Sequence, residues 1–141
     1  MSHFVHQVPV RFQEVDSAGI VFFSRIFEYH HDAYEAWMRS LGFPIDPMIK
    51  DRHHMLPLAH AEADYHAPIL LGQTVEVRIR VASVGTTSFA MVSWIGIPDG
   101  DDLATVRTVH VCIDRESRRP APFPDAFRGV LLHHLKAGEE A

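Results

Sequence analysis

Residues 22 to 41 place Phe23, Phe27, His30, Tyr34, Trp37, Met38 and Leu41 at spacings of three and four, and nothing else in the chain constrains the fold as tightly. That spacing gathers the side chains on one side of a helix of about five turns, whose apolar stripe must be buried against something. "SLGFP" closes it, because Gly42 can adopt the left-handed cap and Pro44 cannot continue a helix. The partner is supplied by strand-like segments. Residues 4 to 13 alternate Phe4, His6, Val8, Val10 and Phe12 on one side, with Pro9 marking a free edge or a local break. After a polar linker, "DPMIKDRHH", residues 55–67, 73–84, 87–97 and 103–114 read as four more strands, with "VGTTS" and "PDGDD" as hairpin turns. In the first of these, Ala59, Ala61, Ala63 and Tyr65 share a face small enough for the helix to lie against. The order strand, helix, four strands packs most economically as an α+β domain, a five-stranded antiparallel sheet wrapped around one long helix. The tail from Pro122 adds a short helix, and one domain is expected over residues 1–141.

Composition narrows the function. A net charge of -5 argues against a nucleic-acid footprint. No apolar run reaches the roughly 18 residues of a membrane helix, and the N-terminus lacks the order of a signal peptide, so no membrane association and a cytoplasmic location are expected. Cys112 is the one cysteine; in the strand-like "TVHVCID" it reads as a buried, inert thiol. The eleven histidines show no metal-ligand spacing. His30 and His31 with Asp32 and Glu35 fall short of a site, and His53–His54 and His133–His134 read as solvent-facing pairs.

The chemistry concentrates in "EVDSAGIVFF", residues 14 to 23, where Asp16 precedes the helix. An aspartate there serves structure as an N-cap or Asx-turn. It equally places a carboxylate beside the unpaired N–H groups and positive pole of a helix start, where a negative oxygen can be held.

"DSAGIVFF", together with "HHDAYEAWMRSLG", "LPLAHAEADYHAPILLGQ" and "RTVHVCIDRESRRPAPFP", resembles the hotdog-fold thioesterases of the 4-hydroxybenzoyl-CoA type over essentially the whole chain. Within them it is most similar to the branch acting on 1,4-dihydroxy-2-naphthoyl-CoA. The resemblance implies hydrolysis of an aromatic acyl-CoA, with CoA as part of the substrate and no separate cofactor. Asp16 becomes nucleophile or general base, the helix-start amides near Phe23 an oxyanion hole, and Gly19 the point of close backbone approach. Related enzymes carry His or Tyr where this chain has Phe23, which suggests an apolar acyl pocket. His60 matches a position that contacts an acyl hydroxyl, although a strand-face histidine satisfied by polar neighbours fits equally. Arg118 and Arg119 of "DRESRRPAP" are candidate contacts for the CoA phosphates. The resemblance also implies a homodimer joined through an exposed strand edge, or a homotetramer of two dimers. An aliphatic acyl-CoA or acyl-carrier-protein thioesterase and a non-catalytic acyl-CoA-binding module are the alternatives.

Overall fold

The computed structural model describes residues 4–45 and 54–139. A first strand, β1 (Phe4–Pro9), leads through a 3-10 turn (Phe12–Glu14) to the long helix α1 (Arg25–Ser40). Then come β2 (His54–Met55), β3 (Leu58–Tyr65), β4 (Thr74–Val84), β5 (Ser88–Gly96), β6 (Asp102–Val111) and β7 (Ile113–Asp114), followed by α2 (Asp125–Glu139). The main sheet is antiparallel with the order β1-β4-β5-β6-β3, and β2 pairs with β7 in a small ribbon. The expected five-stranded sheet and its long helix are thus both present.

α1 forms because its apolar positions repeat at the helical period while its ends suit the dipole, with Glu28 in the first turn and Arg39 in the last. Gly42 adopts φ +86° just beyond it, a conformation that disfavours any residue with a Cβ. Ile26, Tyr29, Ala33, Trp37 and Met38 pack against Val75, Val77, Ile79 and Val81 of β4 and Phe89, Met91 and Ile95 of β5. Burying each of the larger side chains contributes roughly 1.5–3 kcal/mol. α2 is longer than the short helix expected from sequence, because Phe127 and Leu131 extend the same core around Phe89 and Phe43.

Three local expectations change. β1 stops at Pro9 rather than continuing to residue 13, and Phe12 projects into solvent at 79% exposure. The reason is Glu14, whose carboxylate takes the Arg11 N–H at 2.9 Å and pulls the chain into the 3-10 turn. α1 begins at Arg25 rather than residue 22, because the Phe22 N–H donates to the Glu14 carbonyl at 2.9 Å and turns residues 22 to 24 out of helical register. Phe23 consequently leaves the buried face and is 62% exposed. The alanine face of β3 is not covered by α1, which lies across β1, β4, β5 and β6. β3 is instead a sheet edge exposed along nearly its whole length. The 46–54 linker, apart from His54, lies outside the described residues.

One polar group sits inside the core. His30 is 1% exposed, its Nδ1 2.7 Å from Ser93 Oγ and its Nε2 2.8 Å from Thr108 Oγ1. Burial, with smaller contributions from His110 and His31, pushes its pKa down to about 3, so the imidazole stays neutral. The unfolded chain takes up this proton as pH drops through about 6.5, while the native state resists until about 3, so stability present above that window drains away within it. Between pH 6 and pH 4 the free energy of unfolding should fall with a slope of up to about 1.4 kcal/mol per pH unit from this group, measured by urea denaturation. His30→Gln should flatten the slope.

Candidate active site

The stretch before α1 is a tight hairpin docked onto the loop after β3. Val15 bridges Val21, the Val21 N–H donates to the Ile69 carbonyl at 2.8 Å, and the Leu71 N–H donates to the Gly19 carbonyl at 3.0 Å. Asp16 stands at its tip. Its Oδ1 accepts the N–H groups of Ala18 at 2.8 Å and Ile20 at 3.2 Å, an Asx-turn, whereas its Oδ2 has no hydrogen-bond partner among the described residues. The same carboxylate therefore spends one oxygen on structure and keeps the other open. Gly19 owes its identity to φ +76°; a Cβ there would meet nothing within 4 Å, so the backbone conformation, not crowding, demands glycine.

The base of this hairpin is pinned from inside. Glu14 is buried, and its Oε1 also accepts the Tyr29 hydroxyl at 3.0 Å while Oε2 meets the Arg11 guanidinium at 3.1 Å. Burial alone would raise the carboxyl pKa, but the hydrogen bonds from Arg11 and Tyr29 outweigh it and hold the group below its usual value.

Asp16 lines a cavity of about 520 Å³ with Ile20, Val21, Phe22, Phe23, Ile26, Tyr65 and Ala104 among its walls. The Tyr65 hydroxyl donates to the Phe23 carbonyl at 2.5 Å, tying the edge strand to the turn before α1. Burial raises the Tyr65 pKa, which keeps that proton in place. The N–H groups of Phe23 and Ser24 make no hydrogen bond with another described residue. Asp16 and Phe23 thus line one cavity, with Phe23 as cavity wall rather than helix-face residue.

The other candidates lie elsewhere. His60 is on the exposed β3, its Nε2 3.2 Å from Glu62 Oε1, so within one chain it is a strand-face histidine with a polar neighbour. Arg118, at φ +63°, and Arg119 belong to the turn after β7, where the Arg118 N–H donates to the Asp114 carbonyl and the Asp114 N–H to the Arg119 carbonyl, both at 2.9 Å. Arg118 borders a second cavity of about 650 Å³ with His31, Tyr34, Leu58, His110 and Arg115. The two cavities sit at opposite ends of the β3–β6 ladder, one at Tyr65↔Ala104 and the other at Leu58↔His110. At about 3.3 Å per residue they are roughly 20 Å apart, so one chain does not bring Asp16 and Arg118 to one spot.

Residues 10–131 match the family model described as the thioesterase-like superfamily. The chain belongs to that family. It is 31% identical to the 1,4-dihydroxy-2-naphthoyl-CoA hydrolase of Synechococcus elongatus over 93% of its own length and 96% of that protein. Among solved structures it resembles a 1,4-dihydroxy-2-naphthoyl-CoA thioesterase from Synechocystis, with a TM-score of 0.86 and 28% identity over 92% of this chain and 96% of that one. The BH1999 gentisyl-coenzyme A thioesterase is similar too, with a TM-score of 0.80 and 25% identity over 89% of this chain and 99% of that one.

In this thioesterase-family chain, sequence reasoning passed over Tyr65. Its signal was its place at the end of the alternating Ala59, Ala61, Ala63 face, where a hydroxyl is the one polar group among small apolar neighbours. Tyr65→Phe removes a single hydrogen bond and keeps the ring. The helix start should loosen by about 1 kcal/mol, seen as amide hydrogen exchange of Arg25 about fivefold faster while core amides of β5 are unchanged.

Proposed function

We propose that the protein hydrolyses an aromatic acyl-CoA thioester to the free acid and CoA, with Asp16 at the reacting carbonyl. The observation that carries this reading is Asp16, its Oδ2 unbonded, on the wall of an apolar cavity that Phe23, whose amide is also unbonded, lines with it. The family membership and the aromatic acyl-CoA substrates named for similar relatives support it.

A thioester needs an oxygen delivered to its carbonyl carbon and a place for the charge that develops on the carbonyl oxygen. Asp16 Oδ2 delivers the oxygen directly, forming a mixed anhydride, or takes a proton from the water that attacks. The carbonyl oxygen lies against the Phe23 amide, which gains most when it becomes an oxyanion; one such donor is typically worth about 10²- to 10³-fold in rate. The C–S bond breaks and the thiolate of CoA leaves; on the first route water then cleaves the anhydride, releasing the acid and restoring the Asp16 carboxylate. Phe22, Phe23 and Ile26 keep the acyl side apolar, and their rings suit a flat aromatic group.

Assembly completes the site. β3 presents unpaired backbone groups along an exposed edge rimmed by Leu58 and Tyr65, a surface that soluble proteins cover. Antiparallel pairing of two β3 strands about a two-fold axis sets the Leu58 end of one copy beside the Tyr65 end of the other. The second cavity, with its arginines, then faces Asp16 across the pair, and Arg118 and Arg119 are placed to meet the CoA phosphates. Two such pairs would make the tetramer. The cytoplasm is the setting we assign, and among the described residues no helix is long and apolar enough to cross a membrane.

Asp16→Asn keeps an oxygen for the Ala18 and Ile20 amides and discards the charge. Thiol release from 1,4-dihydroxy-2-naphthoyl-CoA should fall at least about a hundredfold in kcat, about 2.7 kcal/mol of lost transition-state stabilisation, with little change in melting temperature. Full activity in the variant contradicts the assignment.

A further inference from the structure

The limb that carries Asp16 is held by two anchors of opposite character. On the outer side the Arg25 guanidinium donates to the Gln13 carbonyl at 3.2 Å and pairs with Glu28 at 3.0 Å, both at the surface. Solvent and salt screen contacts of that kind, so they contribute little. On the inner side stands Glu14, 3% exposed and two residues before Asp16. Its Oε1 accepts the Arg11 N–H at 2.9 Å and the Tyr29 hydroxyl at 3.0 Å, and its Oε2 meets the Arg11 guanidinium at 3.1 Å. Its own carbonyl accepts the Phe22 N–H at 2.9 Å, and the Asp16 N–H donates to the Ile20 carbonyl at 2.8 Å. Only Val15, itself bridged to Val21, separates the buried carboxylate from Asp16.

A buried carboxylate is a poor choice if stability is all that the position serves. Taking its charge out of water is costly, and apolar side chains of similar volume often hold such a position as well or better. What the carboxylate supplies is direction, because each of its bonds tolerates only a narrow range of distance and angle. Among its partners Tyr29 carries the positional information. Arg11 is three residues away and its side chain is 62% exposed, so it moves with the same limb. Tyr29 is fully buried in the second turn of α1, fifteen positions away, and packs with the core beneath the helix. A phenylalanine would fill that space equally well; the hydroxyl adds the tie to Glu14. Burial, and then the Glu14 bond itself, raise the Tyr29 pKa, so the proton that makes the tie stays in place. Asp16 in turn cannot swing free of the hairpin, because its Oδ1 is held by the Ala18 and Ile20 amides. Where the hairpin sits, Oδ2 sits.

We propose that Glu14 and Tyr29 are positioning residues for the reaction: the Tyr29 hydroxyl fixes the Glu14 carboxylate to α1, and Glu14 sets where Asp16 stands against the thioester. The inference rests on the thioesterase reading above and deepens it. Neither residue lines the Asp16 cavity, so both act through Asp16 and neither meets the substrate.

Tyr29→Phe tests it, since it keeps the buried ring and deletes the bond to Glu14. Thiol release from 1,4-dihydroxy-2-naphthoyl-CoA is measured in four proteins: native, Tyr29→Phe, Asp16→Asn and the double variant. Tyr29→Phe should lower kcat about tenfold and leave KM within about twofold, because geometry is disturbed and binding is not. On the Asp16→Asn background the same change should cost less than about twofold, because the group it misplaces has already lost its charge. A merely structural tyrosine lowers both backgrounds by one factor. That outcome, an unchanged kcat, or a loss carried by KM overturns the proposal. Glu14→Gln, which keeps an oxygen for the Arg11 N–H, takes the place of Tyr29→Phe in the same cycle if the latter does not fold. If native protein releases no thiol, the thioesterase reading fails separately and amide hydrogen exchange decides the positioning. The Ala18 and Ile20 amides should then exchange about fivefold faster in Tyr29→Phe than in native protein, with β5 amides unchanged. Equal exchange of those two amides in both proteins overturns it.

Discussion

The buried Glu14 carboxylate fixes the chemistry of this surface, because it joins three parts of the chain that would otherwise diverge. It accepts from the Arg11 backbone and guanidinium and from the Tyr29 hydroxyl on α1, and its own carbonyl accepts the Phe22 N–H. The hairpin carrying Asp16 is therefore anchored to the first turns of the helix rather than hanging from the sheet. A catalytic carboxylate misplaced by about 1 Å can cost two orders of magnitude, so anchorage of this kind matters more than its own bond energies. The helix is held in turn by the core beneath it, where Met38, Tyr29 and Trp37 meet the β4 and β5 side chains.

A second constraint is what α1 leaves bare. By lying across β1, β4, β5 and β6 it covers the middle of the sheet and strands β3 at the edge, with an opening at each end of the β3–β6 ladder. One opening is lined by Asp16 and the other by Arg115 and Arg118. The proposed two-fold pairing along β3 would make these halves complementary.

Much of the architecture is legible in the residues alone. The three- and four-residue spacing of Tyr34, Trp37, Met38 and Leu41 marks α1, and alternation marks β4, β5 and β6. Pro9 marks an edge strand and lies at its end. The misjudged end of β1 and start of α1 share one cause: Glu14 is a polar residue that goes inside, so Phe12 and Phe23, apolar by type, are driven out. Of the site, Asp16 is visible as a motif residue, but its division between an Asx-turn and an open oxygen requires coordinates. Tyr65 is harder to see for a different reason, because its hydroxyl meets the Phe23 carbonyl 42 positions away in the chain.

The proposal that each reaction centre draws Asp16 from one copy and the arginine-lined cavity from another is tested most directly by complementation. Asp16→Asn and a variant that fills the second cavity, Leu58→Trp, are each expected to be nearly inactive alone. Refolded together from denaturant in equal amounts, they form mixed pairs in which one of two centres has both halves intact. Random pairing then restores thiol release from 1,4-dihydroxy-2-naphthoyl-CoA to about a quarter of the native value. Activity no higher in the mixture than in the separate variants would contradict a shared centre.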